Sequence, residues 1–103
     1  MESDHLFELE IITPDRAFYK GRVRMVELNT AEGRIGIYKN HIPLAAIVKP
    51  GTVTITEAVG KREAKVSEGF MEVLKHKVTI LTEKAMYMEG DHPTEEEKQI
   101  PAV

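Results

Sequence analysis

Along most of the chain, hydrophobic and polar residues alternate with a period of two, which is the pattern of β-strands buried on one face. In the stretch HLFELEII, Phe7, Leu9 and Ile11 share one face, whereas Glu8 and Glu10 share the other. A sustained helical period does not occur before residue 83. The pattern therefore predicts strands rather than helices over this part of the chain.

The stretch RVRMVELN contains a slip in this alternation. Val23 and Met25 continue one apolar face, but the next apolar pair is Val26 and Leu28. One extra residue that shifts the apolar face is the expected mark of a β-bulge, although a strand buried on both faces would give a similar pattern. We therefore expect either a bulge or a doubly buried strand here.

Two hairpins are predicted from the turn residues. Gly60-Lys61 separates strands expected from Thr52 to Ala58 and from Glu63 to Val66, and Lys75-His76 separates the two apolar runs of FMEVLKHKVTIL. Short strands at this spacing, interrupted by glycine and proline, are typical of a β-sandwich or a β-barrel.

The C-terminal segment EKAMYMEGDHPTEEEKQIPAV lacks the alternation. Thr94 and Glu97 have the spacing of a capping box, but Pro101 would end a helix that begins there. We therefore expect a β-sandwich domain over residues 1–88. Residues 89–103 should form an acidic tail that is mostly unstructured or contains one short helix.

Composition restricts the class of protein further. A length of 103 residues favours one domain, and 42% hydrophobic with 30% charged residues is typical of a globular protein. The absence of cysteine excludes disulfides and thiolate nucleophiles. The sequence has no apolar run long enough for a membrane helix and no N-terminal signal segment, so any membrane role should be peripheral.

The net charge of −3 is unevenly distributed. From Glu89 onward there are five acidic residues and one lysine, which leaves the preceding part of the chain almost neutral. Because nucleic-acid binding needs a clustered basic face, we expect no nucleic-acid partner.

Candidate catalytic groups do not form a recognisable motif. The four histidines (His5, His41, His76 and His92) show no metal-ligand spacing, and neither Ser3 nor Ser67 lies in a nucleophile motif. Gly33 and Gly36 precede a proline rather than a lysine and a helix, so they do not form a phosphate loop. We therefore predict no active site, no metal and no cofactor.

The stretch EGRIGIYKNHIPL, from Glu32 to Leu44, is the best candidate for a functional loop. Loops on a rigid β scaffold often carry function, which favours a docking loop. A plain turn is equally compatible, because glycine and Asn40 both tolerate a left-handed backbone. The residues alone leave these two interpretations open.

Three segments in order, FELEIITPDRAFYKG, EGRIGIYKNHIPLAAIVKPG and SEGFMEVLKHKVTILTEKA, resemble the epsilon subunit of the F-type ATP synthase. The resemblance implies an all-β fold, a flattened sandwich of about ten short strands. It also implies a non-catalytic central-stalk subunit that links the gamma subunit to the c-subunit ring and couples proton or sodium flow to ATP synthesis. Such a subunit lies on the cytoplasmic face of a bacterial membrane without inserting into it.

The resemblance also assigns contact residues. The family's ring-facing loop matches Arg34, Tyr38, Lys39, Asn40 and His41, and the candidates for the gamma side are Leu44 and Ala46. The family commonly has an acid where Arg34 stands and a proline where Lys39 stands. Since the ring loop usually carries arginine, a ring contact through Arg34 would bring like charges together.

Family members usually continue into a C-terminal helical hairpin that inhibits ATP hydrolysis, and this sequence has only a short acidic segment there. We therefore expect no inhibition by a hairpin. The alternative function is a small β-sandwich module that binds a peptide or a small ligand in one concave pocket with convergent polar groups. An enzyme ranks third, since it would need the histidines and carboxylates to converge.

Overall fold

A computed structural model of the protein describes residues 5–88 of the 103-residue chain. The described residues contain nine β-strands and no α-helix. The strands, numbered in chain order, are β1 (Phe7–Ile12), β2 (Ala17–Thr30), β3 (Gly33–Tyr38), β4 (Leu44–Val48), β5 (Gly51–Glu57), β6 (Lys61–Val66), β7 (Gly69–Val73), β8 (Lys77–Thr82) and β9 (Ala85–Tyr87). The predicted acidic tail lies outside the described residues.

The strands pack in two layers that share the long strand β2. The first layer has the order β2–β1–β8–β7–β4, in which β1 and β8 are parallel and the other pairs are antiparallel. The second layer has the order β3–β2–β5–β6–β9, with every pair antiparallel. The molecule measures 41 × 35 × 20 Å, and its smallest extent is that of two stacked sheets. The expected flattened β-sandwich is therefore confirmed.

Strand β2 passes from one layer to the other at a bulge, which is one of the two alternatives that the sequence leaves open. Its pairing with β5 shifts register between Val23 and Met25, so that Arg24 is the extra residue. Val23 and Val26 are both fully buried although they are three positions apart. Because one strand of 14 residues serves both layers, the described residues contain nine strands where about ten short ones were expected.

The core lies between the layers and follows the predicted alternation. Phe7, Leu9 and Ile11 of β1 are at most 2% exposed, as their shared face predicts. Val53 and Ile55 of β5 are also fully buried. The remaining core side chains are aliphatic or aromatic residues of β2, β3, β4, β6, β7 and β8.

Both predicted hairpins are present. Strands β5 and β6 pair through a turn in which the N–H of Glu57 donates to the carbonyl of Gly60, and Gly60 has φ of 89°. Strands β7 and β8 pair around Lys75-His76, where the N–H of Leu74 donates to the carbonyl of Lys77.

Two strands differ from the expectation. Strand β3 occupies six residues of the stretch interpreted as a loop, and the three-residue strand β9 lies where the alternation fades. Both depend on a neighbour, since β3 pairs only with β2 and β9 pairs only with β6 among the described strands. Pairing with a formed sheet can therefore extend strands that the local pattern does not indicate.

The two long sides of the sandwich are built differently. On one side, which we call the closed side, Phe18 of β2 stacks on Tyr87 of β9 with ring centroids 4.5 Å apart. On the other side, the open side, strands β3 and β4 are the edges of their layers and do not pair with each other. A hollow of about 510 Å³ lies between them, lined in part by Ile35, Leu44 and Ala46.

Candidate partner-binding surfaces

The tip loop, residues 38–43, joins β3 to β4 and so connects the two layers on the open side. Asn40 has φ of 69°, a left-handed conformation that asparagine tolerates better than most residues. Its backbone N–H donates to the carbonyl of Lys75, and the N–H of His41 donates to the carbonyl of Tyr38. These bonds fix the loop against the β7–β8 turn, so the loop is both a tight turn and a stiff projection.

The tip loop presents apolar side chains to solvent. Tyr38 is 59% exposed and Ile42 is 76% exposed, and Leu74 of the adjacent β7–β8 turn is 48% exposed. The His41 ring lies with Nδ1 2.9 Å from the carbonyl oxygen of Ile42, which orients the imidazole along the loop. Three large exposed apolar groups around a fixed turn are a typical feature of a contact surface.

Arg34 lies at the opposite end of β3 from the tip loop. Its guanidinium donates to Oδ1 of Asn29 at 3.0 Å, to the carbonyl of Thr52 at 2.9 Å and to Oγ1 of Thr54 at 3.3 Å. The side chain therefore lies across the outer surface of β3, β2 and β5 and joins the three strands. The structure does not bring Arg34 together with Tyr38, Lys39, Asn40 and His41.

The two glycines of this stretch serve different purposes. Gly33 has φ of 115° and follows the β2–β3 turn, where a left-handed residue is required. Gly36 lies within β3, and a Cβ there would lie 3.6 Å from the side chains of Glu27 and Met25. The interpretation as a positive-φ residue is therefore right for Gly33 and wrong for Gly36.

The candidate gamma contacts on β4 point mainly inward. Leu44 and Ala46 are half-buried and pack against the core, whereas Ala45 and Ile47 face solvent. Side chains alternate along a strand, so the outward residues are one position away from the expected ones. Leu44 and Ala46 line the hollow on the open side, where they are accessible at the surface.

Ile47 belongs to a row of apolar side chains on the outer surface of the first layer. The register places Ile47 opposite Phe70, Phe70 opposite Leu81, and Leu81 opposite Ile12. We call these four residues the outer apolar row; Ile47 and Phe70 are each 47% exposed and Leu81 is 46% exposed. This row was not predicted from the sequence, although the strand GFMEV already places Phe70 on the face opposite Met71 and Val73.

The closed side contains a buried polar group. The Tyr19 hydroxyl donates to Oε2 of Glu57 at 2.6 Å, and Nε of Arg62 donates to the same oxygen at 3.0 Å. Burial, reinforced by the hydrogen bond to Glu57, raises the pKa of the Tyr19 hydroxyl well above its usual value. This network joins the first half of β2, where Tyr19 lies opposite Ile11 of β1, to β5 and β6 of the second layer. It accounts for all three polar groups without a substrate.

Other combinations of polar residues do not point to chemistry. Within residues 5–88, the His, Asp and Glu side chains form no group of three that could hold a metal ion. A hollow of about 440 Å³ is lined by charges of both signs, including Asp15, Arg16, Glu83 and Lys84. The part of the chain that the structure describes contains no helix long and apolar enough to span a membrane.

Comparison with known proteins identifies the domain. Residues 6–88 match the sequence model of the family described as "ATP synthase, Delta/Epsilon chain, beta-sandwich domain". The ATP synthase epsilon chain of Caldanaerobacter subterraneus subsp. tengcongensis is 45% identical over 87 residues, which cover 84% of this chain and 63% of that protein. The epsilon chain of Brevibacillus brevis is 44% identical over 92 residues, which cover 87% of this chain and 68% of that one.

Solved structures support the same fold. A chain of the Euglena gracilis mitochondrial ATP synthase superposes with a TM-score of 0.74 at 23% identity, over 86% of this chain and 56% of that chain. A chain of the Tetrahymena thermophila mitochondrial ATP synthase central stalk and c-ring gives a TM-score of 0.66 at 15% identity, over 77% and 64%. At these identities the likeness establishes the fold.

The chain spans about three fifths of the length of the first curated relatives that it matches. The family match, in contrast, covers every strand of the sandwich. The sequence identities to the relatives and the arrangement of the two layers both agree with this family match. The chain therefore belongs to the ATP synthase delta/epsilon family and contains the β-sandwich domain of that family.

Proposed function

We propose that the chain is a non-catalytic central-stalk subunit of a proton- or sodium-translocating F-type ATP synthase. The observation that carries this proposal is the family match over residues 6–88. In this role the chain links the gamma subunit to the c-subunit ring, turns with both, and belongs to the whole synthase complex. It resides as a peripheral protein on the cytoplasmic face of a bacterial membrane and uses no cofactor.

The outer apolar row and the adjoining hollow on the open side suit a gamma-binding surface. The row presents Ile47, Phe70 and Leu81 at nearly half exposure. Desolvation of apolar and aromatic side chains at the centre of an interface supplies much of its affinity. Leu44 and Ala46 contribute through the hollow, where a partner side chain can contact them.

The tip loop suits the ring contact. Tyr38, Lys39, Asn40 and His41 lie on a turn held by two backbone hydrogen bonds, and a stiff loop can transmit torque with little deformation. Arg34 is the least suitable of the expected ring contacts, because its donors already serve Asn29, Thr52 and Thr54.

The two surfaces are separate, which is what a linking subunit needs. The tip loop is part of the connection between the layers, whereas the outer apolar row crosses the face of one layer. A module for one small ligand would instead need convergent polar groups in a single pocket. The described part of the chain has several hollows, with volumes of about 210 to 530 Å³, distributed over its surface.

Co-purification with the gamma subunit encoded in the same genome tests the proposal. We expect a stoichiometric complex on size exclusion, and its formation should not require ATP. A chain that folds, by circular dichroism and a cooperative melt, yet stays unbound at micromolar concentration would contradict the assignment. That result would favour the ligand-binding module.

A further inference from the structure

The end of the molecule that carries the tip loop has a concentration of cationic side chains. Arg22, Lys39 and Lys77 line one hollow of about 530 Å³ together with His76. Lys75 lies at the same end, since its carbonyl accepts the hydrogen bond from the N–H of Asn40. We call this set the basic end.

Part of this charge is balanced within the described part of the chain, since Glu8 lies opposite both Arg22 and Lys77 in the strand register. Lys77 is 3.6 Å from a carboxylate oxygen of Glu10, which also pairs with Lys20. Arg22, Lys39 and Lys75 form no ion pair there. Glu8 is the single acidic residue that lines the hollow. The surface therefore carries an excess of positive charge available to a binding partner.

The arrangement of the charges, together with the exposed Tyr38, Ile42 and Leu74, defines a contact surface rather than a uniformly solvated face. Opposite charges across an interface steer association and select the partner, whereas like charges brought together cost affinity. A partner that meets this end through basic residues would place them against Lys39 and Lys75. The matching partner is consequently acidic.

We propose that the loop of the c-subunit ring that faces this chain carries carboxylates. In this contact the chain supplies the cations and the ring supplies the anions. This inference rests on the proposed function. It is the reverse of the polarity that the resemblance implies, in which an acid on the stalk subunit meets arginine on the ring. Arg34 does not decide the polarity, since its guanidinium is engaged by β2 and β5.

A protein loop fits this surface better than an anionic lipid surface. The hollow is concave and contains Glu8, which would face lipid phosphates with like charge. Lipid phosphates offer only acceptors, whereas a loop offers carboxylates to Lys39 and Arg22 and backbone or side-chain donors to Glu8. Because the hollow is lined by cations and by the carboxylate of Glu8, it favours a partner that offers both hydrogen-bond acceptors and donors.

The first test is the sequence of the c subunit encoded in the same genome. We expect at least one Asp or Glu, and no excess of Arg or Lys, in the loop between its two membrane helices. A loop with a net positive charge would overturn the inference and would leave the proposed function intact.

The second test uses the purified complex of this chain with gamma and the detergent-solubilised ring from the same genome. Lys39→Glu together with Lys75→Glu should weaken ring binding about tenfold or more, and the wild-type affinity should fall as salt rises. The matched control, Lys65→Glu with Lys84→Glu, makes the same change of charge at a different hollow and should leave ring binding unchanged. Gamma binding should be unaffected by both pairs.

Each result has one interpretation. Unchanged or tighter ring binding by the Lys39/Lys75 variant, in a chain that still joins gamma, overturns this inference alone. Binding of the wild type to vesicles that contain phosphatidylglycerol, lost in that variant while ring binding persists, overturns it in favour of a membrane contact. A folded chain that binds neither gamma nor the ring overturns the proposed function, and this inference with it.

Discussion

The two layers of the sandwich are joined differently along the closed side and along the open side. On the closed side, side chains join the strands, through the stacked rings of Phe18 and Tyr87 and through the bonds of Tyr19 and Arg62 to Glu57. On the open side, the end of β2 pairs with β4 at Thr30–Val48, and the tip loop joins β3 to β4 at the other end. Between these ends the apolar lining remains accessible.

This difference suggests that the closed side stabilises the fold and that the open side binds a partner. Contacts on the closed side are satisfied within the chain, so their loss should lower the free energy of unfolding. The open side and the adjoining outer apolar row leave apolar surface that the described chain does not cover, and contiguous surface of this kind is typical of interfaces. Variants on this row should therefore change partner binding more than folding.

The largest effect should follow Ile47→Glu combined with Phe70→Glu. Both side chains are already 47% exposed, but they lie opposite each other on paired strands, so repulsion between the two carboxylates should lower the melting temperature modestly without unfolding the domain. Two charges buried against gamma without partners should weaken the complex about 100-fold or more, which isothermal titration calorimetry would measure. The control is Val59→Glu, which places a charge on a side chain that is 89% exposed, in the β5–β6 turn. Equal gamma affinity in the double variant and the control would remove the outer apolar row from the interface.

A smaller effect, on stability rather than binding, is expected for Tyr19→Phe on the closed side. Loss of the hydrogen bond to the Glu57 carboxylate should cost about 1–1.5 kcal/mol of unfolding free energy near neutral pH. Urea denaturation would measure this loss. Gamma binding should stay within twofold, and a large loss of gamma binding would show that the two sides do not have separate roles.

The same variant should change the dependence of stability on pH. The folded-state pKa of Tyr19 is raised above its unfolded value of about 10, so this contribution is complete below that pH and is lost as the pH rises beyond it. Urea melts at about pH 8 and about pH 11 should show a steeper loss for the wild type than for Tyr19→Phe. Parallel losses would mean that the hydroxyl titrates alike in the folded and unfolded states.

These features were accessible from the sequence to different degrees. Both hairpins follow from local alternation and turn residues, which act over a few positions. The slip in alternation near Arg24 marks the irregular position but leaves a bulge and a doubly buried strand as alternatives. The outward direction of Ile47 does not follow from the local pattern, because LAAIV is apolar throughout and its alternation gives no phase. The contact of Phe18 with Tyr87 and the bonds from Arg34 to Thr52 and Thr54 join strands that are distant in sequence, so the local pattern contains no signal for them.

Substitution of Asn40 tests the tip loop, which connects β3 to β4 on the open side. Its φ of 69° should make Asn40→Ala destabilising by about 1 kcal/mol, whereas Asn40→Gly should be close to neutral. Thermal melts of the two variants would distinguish backbone strain from loss of the amide side chain. Equal losses in both variants would show that the amide group, rather than the left-handed backbone, is what the turn requires.

The smallest effect is expected at Arg34, at the other end of β3 from Asn40. Its exposed side chain should contribute about 0.5 kcal/mol, so Arg34→Ala should scarcely lower the melting temperature. Strand β3 pairs only with β2 among the described strands, and Arg34 also ties it to β5, so amide hydrogen exchange in β3 should accelerate more than in β5. Arg34→Lys is the matched control, because it keeps the charge but loses the forked geometry that reaches Asn29 and Thr52 together. Faster exchange in both variants with unchanged ring binding would show that Arg34 stabilises the edge strand β3. Loss of ring binding without faster exchange would show instead that Arg34 contacts the ring.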